Sequence, residues 1–222
     1  VHNFTKQDYK AENQNWSITE DNKGNIYAAN NIGLLEFDGI EWSFYPSPNG
    51  TVIRSVAVDR KNRIFTSGYR ELGYWEKDLP GNLIYHSLNK KAEPYFNPNE
   101  EFWTTLILDD KIYFHSFASV FVYDNDSFKI IRPGEIISSI GILDGKVVMH
   151  NLQKGIYSVE DPGSKSLITD PLIRNKNVRF MFMMNKEDFL IGTANDGVYL
   201  YKNGKLSPFM EEWKDYFAKN EI

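Results

Sequence analysis

Leu190-Ile191-Gly192-Thr193-Ala194-Asn195-Asp196-Gly197-Val198-Tyr199-Leu200-Tyr201-Lys202-Asn203-Gly204 holds the pattern from which the rest of the chain can be read. An apolar run ends in small residues, and a polar turn closed by Gly197 follows. A second run ends in Tyr201, and Asn203-Gly204 supplies another turn. Short runs of β-branched and aromatic residues, punctuated by Gly, Asn and Asp, are strands joined by tight turns. Preceded by the run 178–184 and followed by 205–209, the stretch makes four antiparallel strands.

The same order recurs upstream. A first copy has runs at 16–21, 24–29 and 33–39 with an outer run at 42–45. A second has 53–59, 63–67, 72–75 and 83–86, and a third 103–109, 112–115, 120–124 and 128–131. A fourth has 137–144, 146–150 and 155–159. The first apolar residues of the second runs are Ile26, Ile64, Ile112, Val147 and Leu190, spaced by 38, 48, 35 and 43 residues. That period is the length of a four-stranded propeller blade. The long step is a polar, Pro-containing loop insertion at 89–100.

The expected fold is therefore all-β, a β-propeller of about five four-stranded antiparallel blades. Their approximate limits are 14–50, 51–100, 101–135, 136–177 and 178–210, with 211–222 as a connector. Leu34, Phe37, Ile64, Tyr113, Ile142, Ile156, Leu190 and Tyr199 are the expected core. Gly33, Gly73, Gly155 and Gly197 precede third strands, where a positive φ or a close backbone approach is expected. Trp213 and Phe217 lie four apart, so 210–222 reads either as a short amphipathic helix or as a linker into another blade. Five copies could close as a five-bladed ring, but both terminal copies own an outer strand, so the reading is an open N-terminal part of a larger, seven- or eight-bladed propeller. Bare end faces then predict self-association.

Composition narrows the function. Of 222 residues, 41% are hydrophobic and 15% aromatic, which supports a packed fold rather than disorder. The net charge of −5 argues against nucleic-acid binding by this segment. The absence of cysteine excludes disulfides, zinc–thiolate sites and thiol nucleophiles. No run of eighteen apolar residues occurs, and Val1-His2-Asn3-Phe4 lacks the pattern of a signal peptide. No metalloprotease, serine-hydrolase or phosphate-loop motif is present.

Four histidines are present: His2, His86, His115 and His150. His115 and His150 fill the same slot of adjacent copies, but no third metal ligand aligns with them, so neither metal nor cofactor is expected. Asp124-Asn125-Asp126 and Asp21-Asn22-Lys23-Gly24 lack the full calcium-loop pattern and read as hairpin turns. Glu71, Glu101 and Asp109 are acids without a catalytic spacing and read as solvated loop charges.

A ligand would meet the loops that enter the innermost strands, at one end of the blades. Those entries are Asn15 and Trp16, Ile53 and Arg54, Phe102 and Trp103, Ile137 and Ser138, and Val178 and Arg179. Trp and Arg suit an anionic sugar or glycan fragment, offering a flat apolar surface and a bidentate charge. The competing reading makes the tryptophans packing between blades. The long loop 68–71 adds Tyr69 and Arg70. The candidate ligand-binding set is thus Trp16, Arg54, Tyr69, Arg70, Trp103 and Arg179.

The chain resembles the two-component-regulator propeller repeats of extracytoplasmic sensor regions in Bacteroidetes regulators. Gln14-Asn15-Trp16-Ser17-Ile18, Gly24-Asn25-Ile26-Tyr27 and 31–39 carry the resemblance, and 190–199 matches the repeat best. The third and fourth copies depart from it, with Ser119 for a glycine and His115 and His150 for small residues. The resemblance implies a periplasmic location. It also implies a membrane-anchored parent with a histidine-kinase or DNA-binding output, and a non-catalytic sensor with an oligosaccharide as candidate ligand. A rigid interaction or dimerisation scaffold and a propeller glycosidase or lyase are the rivals.

Overall fold

The structure, a computed structural model, describes residues 3–213, 216, 219 and 220. Five antiparallel sheets follow one another in sequence order. They are β1 (Asn15–Glu20) to β4 (Trp42–Pro46), β5 (Ile53–Val58) to β8 (Leu83–Ser87) and β9 (Phe102–Leu108) to β12 (Ser127–Ile131). Next come β13 (Ser139–Leu143) to β15 (Gly155–Ser158), and β16 (Val178–Met183) to β19 (Lys205–Phe209). Each sheet is a simple meander, the arrangement of a propeller blade. The chain divides into two compact units: blades one to three, and blades four and five.

Within the first unit the blades pack through alternating faces. Tyr27, Leu34, Ile53, Val56, Ile64 and Trp75 join blades one and two, and Phe65, Leu72, Phe102, Phe114 and Phe121 join two and three. In the second unit Val148, Ile156, Met181, Phe189, Ile191 and Tyr199 form the shared core. Burial of this apolar surface is the main term holding blade to blade. Leu34, Ile64, Tyr113, Ile156 and Tyr199 are buried as expected. Phe37, Ile142 and Leu190 are only half-buried. Phe37 stacks among Phe4 and Trp42, and Leu190 pairs with the exposed Phe182.

The glycine expectation holds by two routes. Gly155 and Gly197 have φ of 83° and 87°. At Gly33 a Cβ would stand 2.1 Å from the Tyr45 carbonyl oxygen. The turns between first and second strands are built by aspartates. Asp21 accepts from the amides of Lys23 and Asn25, and Asp59 in the same way from Lys61 and Arg63, all at 2.8–2.9 Å. Asn125 and Asp126, both at positive φ, form the β11–β12 hairpin turn.

Three details depart from the strand pattern. Blade four has three strands among the described residues; its fourth position is taken by irregular chain that touches β15 through an Ile168–Ile156 bridge. A helical turn, α1 (Lys6–Tyr9), precedes blade one, and Tyr9 packs on Ala28 and Leu35. The 89–100 insertion contains α2 (Asn89–Ala92) and a 3₁₀ turn at Glu93–Tyr95. Glu211–Trp213 is a second 3₁₀ turn, and Phe217 of the expected amphipathic helix lies outside the described residues.

Candidate functional site

Four innermost strands carry the same irregularity. In β1 the register passes from Asn15 to Ser17, in β5 from Ile53 to Ser55, in β9 from Phe102 to Thr104, and in β16 from Val178 to Phe180. The residues that the register skips are Trp16, Arg54, Trp103 and Arg179. A bulge adds one residue to one strand and re-aims its side chain, and bulges are common beside functional sites. The neighbours Ile53, Phe102 and Val178 are buried, so three of the four strand entries divide into a packing residue and a presented one, while Asn15 beside Trp16 is exposed.

In the first unit three of the presented residues meet. The Arg54 guanidinium carbon lies 3.9 Å from the Trp16 ring centroid and 4.5 Å from that of Trp103. The two indoles meet edge to face, 6.2 Å apart. Contacts of this kind contribute about 0.5–2 kcal/mol each, more as water is excluded. Trp16 Nε1 donates to Asn31 Oδ1 at 2.8 Å, which fixes its ring. Arg54 Nε donates to Glu101 Oε1 at 2.7 Å. Glu101 in turn bridges to Tyr69. Trp16 and Tyr69 are each 39% exposed, so aromatic surface stands open beside the charge.

Sequence reasoning named Trp16, Arg54, Tyr69 and Trp103, and the fold brings them together. Arg70 lies outside this group. Its Nη1 donates to the carbonyls of Asn97 and Pro98, Nη2 reaches Glu93, and the guanidinium lies over Phe96. Arg70 thus fastens the 93–100 segment to blade two. Arg179 sits at the equivalent bulge of the second unit and is exposed. Glu101, read as a solvated loop charge, is the partner of Arg54; its place two residues before Trp103 was the available signal. Glu71, read the same way, accepts from Tyr85, Ser87, Asn89 and Asn49 and organises a loop.

At blade four the strand-entry residue is spent. Ser138 Oγ lies 2.6 Å from His150 Nδ1, and Ile137 is buried. Burial holds the His150 pKa down at about 4, so the ring is neutral near pH 7. His115 is buried in blade three. Among the described residues no three His, Asp or Glu side chains group as metal ligands.

No family model and no curated protein matches the chain. Solved structures do match. The extracellular domain of a hybrid two-component system from B. thetaiotaomicron aligns over 89% of this chain and 30% of its own, with 17% identity and a TM-score of 0.69. That of a one-component system from the same organism aligns over 87% and 27%, with 15% identity and a TM-score of 0.65. Virginiamycin B lyase from Staphylococcus aureus aligns over 94% and 72%, with 14% identity and a TM-score of 0.67. The chain spans less than a third of the two regulator domains. No helix among the described residues is long and apolar enough to cross a membrane. At these identities the likeness establishes the fold: the chain is built of β-propeller blades, a fold it shares with extracytoplasmic domains of Bacteroides regulators.

Proposed function

We propose that the chain is a non-catalytic, extracytoplasmic ligand-binding propeller region of a two-component or one-component regulator, and that its cue is carbohydrate-derived. The observation that carries this reading is the convergence of Trp16, Arg54 and Trp103 from three consecutive bulges, with Tyr69 beside them. An exposed aromatic surface next to a fixed cation is the chemistry of a sugar-binding surface. The regulator domains of similar fold support the signalling context.

The likeness to virginiamycin B lyase favours catalysis no further than the shared fold does. His115 and His150 are buried, and His86 lies on the outer strand β8, stacked on Tyr74. A scaffold acting through self-association is the other reading. A thermal-shift screen of oligosaccharides separates the three. Binding to the native state alone raises the midpoint with dose. The sensor reading expects such a rise without turnover. Turnover of the stabilising sugar would favour an enzyme, and no hit together with a stable dimer in sedimentation would favour the scaffold.

A further inference from the structure

The geometry points to a ligand class: Arg54 is the receptor for the carboxylate of an acidic sugar. This rests on the sensor reading above and narrows it. Glu101 occupies only the Nε side of the guanidinium, at 2.7 Å. Nη1 and Nη2 bond to no described residue, and neither is among the nitrogens buried without a partner, so both meet solvent. The Nη1–Nη2 edge offers two parallel N–H donors, which match the two oxygens of a planar carboxylate.

Three features prepare that edge. Trp16 and Trp103 both pack against the guanidinium, their rings edge to face with one another, so part of its side-chain freedom is already lost before binding. Glu101 fixes rotation about the guanidinium plane through Nε. Trp16 and Tyr69 leave exposed ring surface on which the apolar face of a pyranose can rest. Arg70 and Arg63 lack this arrangement. Arg70 spends Nη1 and Nη2 on the 93–100 segment, and Arg63 bonds Asp59 through both Nε and Nη2. Glu101 also has a cost for the ligand. Its negative charge opposes an incoming carboxylate, so removing the charge while keeping the side-chain shape strengthens binding.

The test is a titration of the intact chain, followed by the indole N–H resonances of Trp16 and Trp103. The probes are D-glucuronate, D-galacturonate, D-glucose and glucose 6-sulfate. Saturable shifts with the uronates, and much weaker ones with glucose and the sulfate, are expected. Arg54→Lys keeps the charge but loses the fork, and should weaken uronate binding about tenfold or more. Glu101→Gln should tighten it about threefold to tenfold, the effect of removing one like charge at a partly exposed site. Thermal midpoints of both variants within a few degrees of the parent exclude unfolding as the cause. Equal shifts from glucose and glucuronate would overturn the carboxylate assignment, as would equal binding of the sulfate or an unchanged Arg54→Lys. If neutral oligosaccharides stabilise the chain and uronates do not, the sensor reading stands and this assignment falls. If neither binds, both fall.

Discussion

The two ends of the first-unit blades use similar residues differently. At the turn end, Asp21 and Asp59 each accept two backbone amides, and Asn25 and Arg63 take the remaining oxygens. At the strand-entry end, bulges present Trp16, Arg54 and Trp103, and the Nη edge of Arg54 is left unspent. A polar side chain consumed by its own backbone serves the fold. One held rigid with donors open is available to a ligand. Arg54 and Arg70, sixteen residues apart in sequence and both bonded to the 93–101 segment, illustrate the same division within one end.

The largest effect should fall at the turn end. Asp59→Ala leaves the amides of Lys61 and Arg63 and the Arg63 side chain without their acceptor, at a residue 7% exposed. A loss of about 2–4 kcal/mol in denaturant unfolding is expected, since each unmade bond at a buried site costs about 1–3 kcal/mol and part is recovered by water. A loss below about 0.5 kcal/mol would break the comparison, by showing the turn to be dispensable.

Blade four sharpens it, because there the strand-entry residue Ser138 is spent on His150. The folded pKa of His150, about 4, lies below its ordinary 6.5. The unfolded chain therefore takes the proton first. Stability from neutral His150 is present above pH 6.5 and is lost as pH falls from 6.5 to about 4, by roughly 1–3 kcal/mol. His150→Gln should flatten this part of the unfolding profile. Asp21, whose hydrogen bonds outweigh its desolvation and lower its pKa, adds a further loss at more acid pH, below the ordinary carboxylate range.

Smaller stability effects are expected at the presented residues. Trp16→Ala removes the exposed Asn31 bond and one of the two indoles packed against Arg54, and should cost about 1 kcal/mol. Its binding loss should be larger, about tenfold or more for any sugar that stabilises the parent. Arg70→Ala should change sugar binding by less than about twofold and stability by about 1 kcal/mol, through the 93–100 segment. If Arg70→Ala and Trp16→Ala impair binding equally, the division between the two arginines fails.

Much of this was legible in the sequence. The repeat of Ile26, Ile64, Ile112, Val147 and Leu190 located every blade, because strand and turn chemistry is local. Trp16, Arg54 and Trp103 could be singled out by their place before the first strands. Their bulges could not, since one extra residue in a six-residue run leaves no periodic mark. Ser17 and Ser55 gave a clue in hindsight: their hydroxyls accept the amides of Val56 and Thr105 on the next blade, which locks the strand beyond each bulge. The helix α1 was also readable, from Thr5 and Asp8, whose carboxylate accepts the Thr5 amide and hydroxyl. The fourth copy already showed three runs and no fourth, since Pro162, Gly163 and Pro171 break the stretch after 155–159; the Ile168–Ile156 bridge was not readable, because it is set by tertiary contact. The engagement of Arg70 with the 93–100 segment was not readable, because its loop carbonyl partners lie 27 and 28 residues away.

The most direct test maps amide and indole perturbations on the intact chain with a sugar that raises its thermal midpoint. The account predicts that the shifts gather at Trp16, Arg54, Tyr69, Glu101 and Trp103, and that Asp21, Asn25, Asp59 and Arg63 stay unmoved. Shifts concentrated at those turn residues, with the two indoles unchanged, would contradict it.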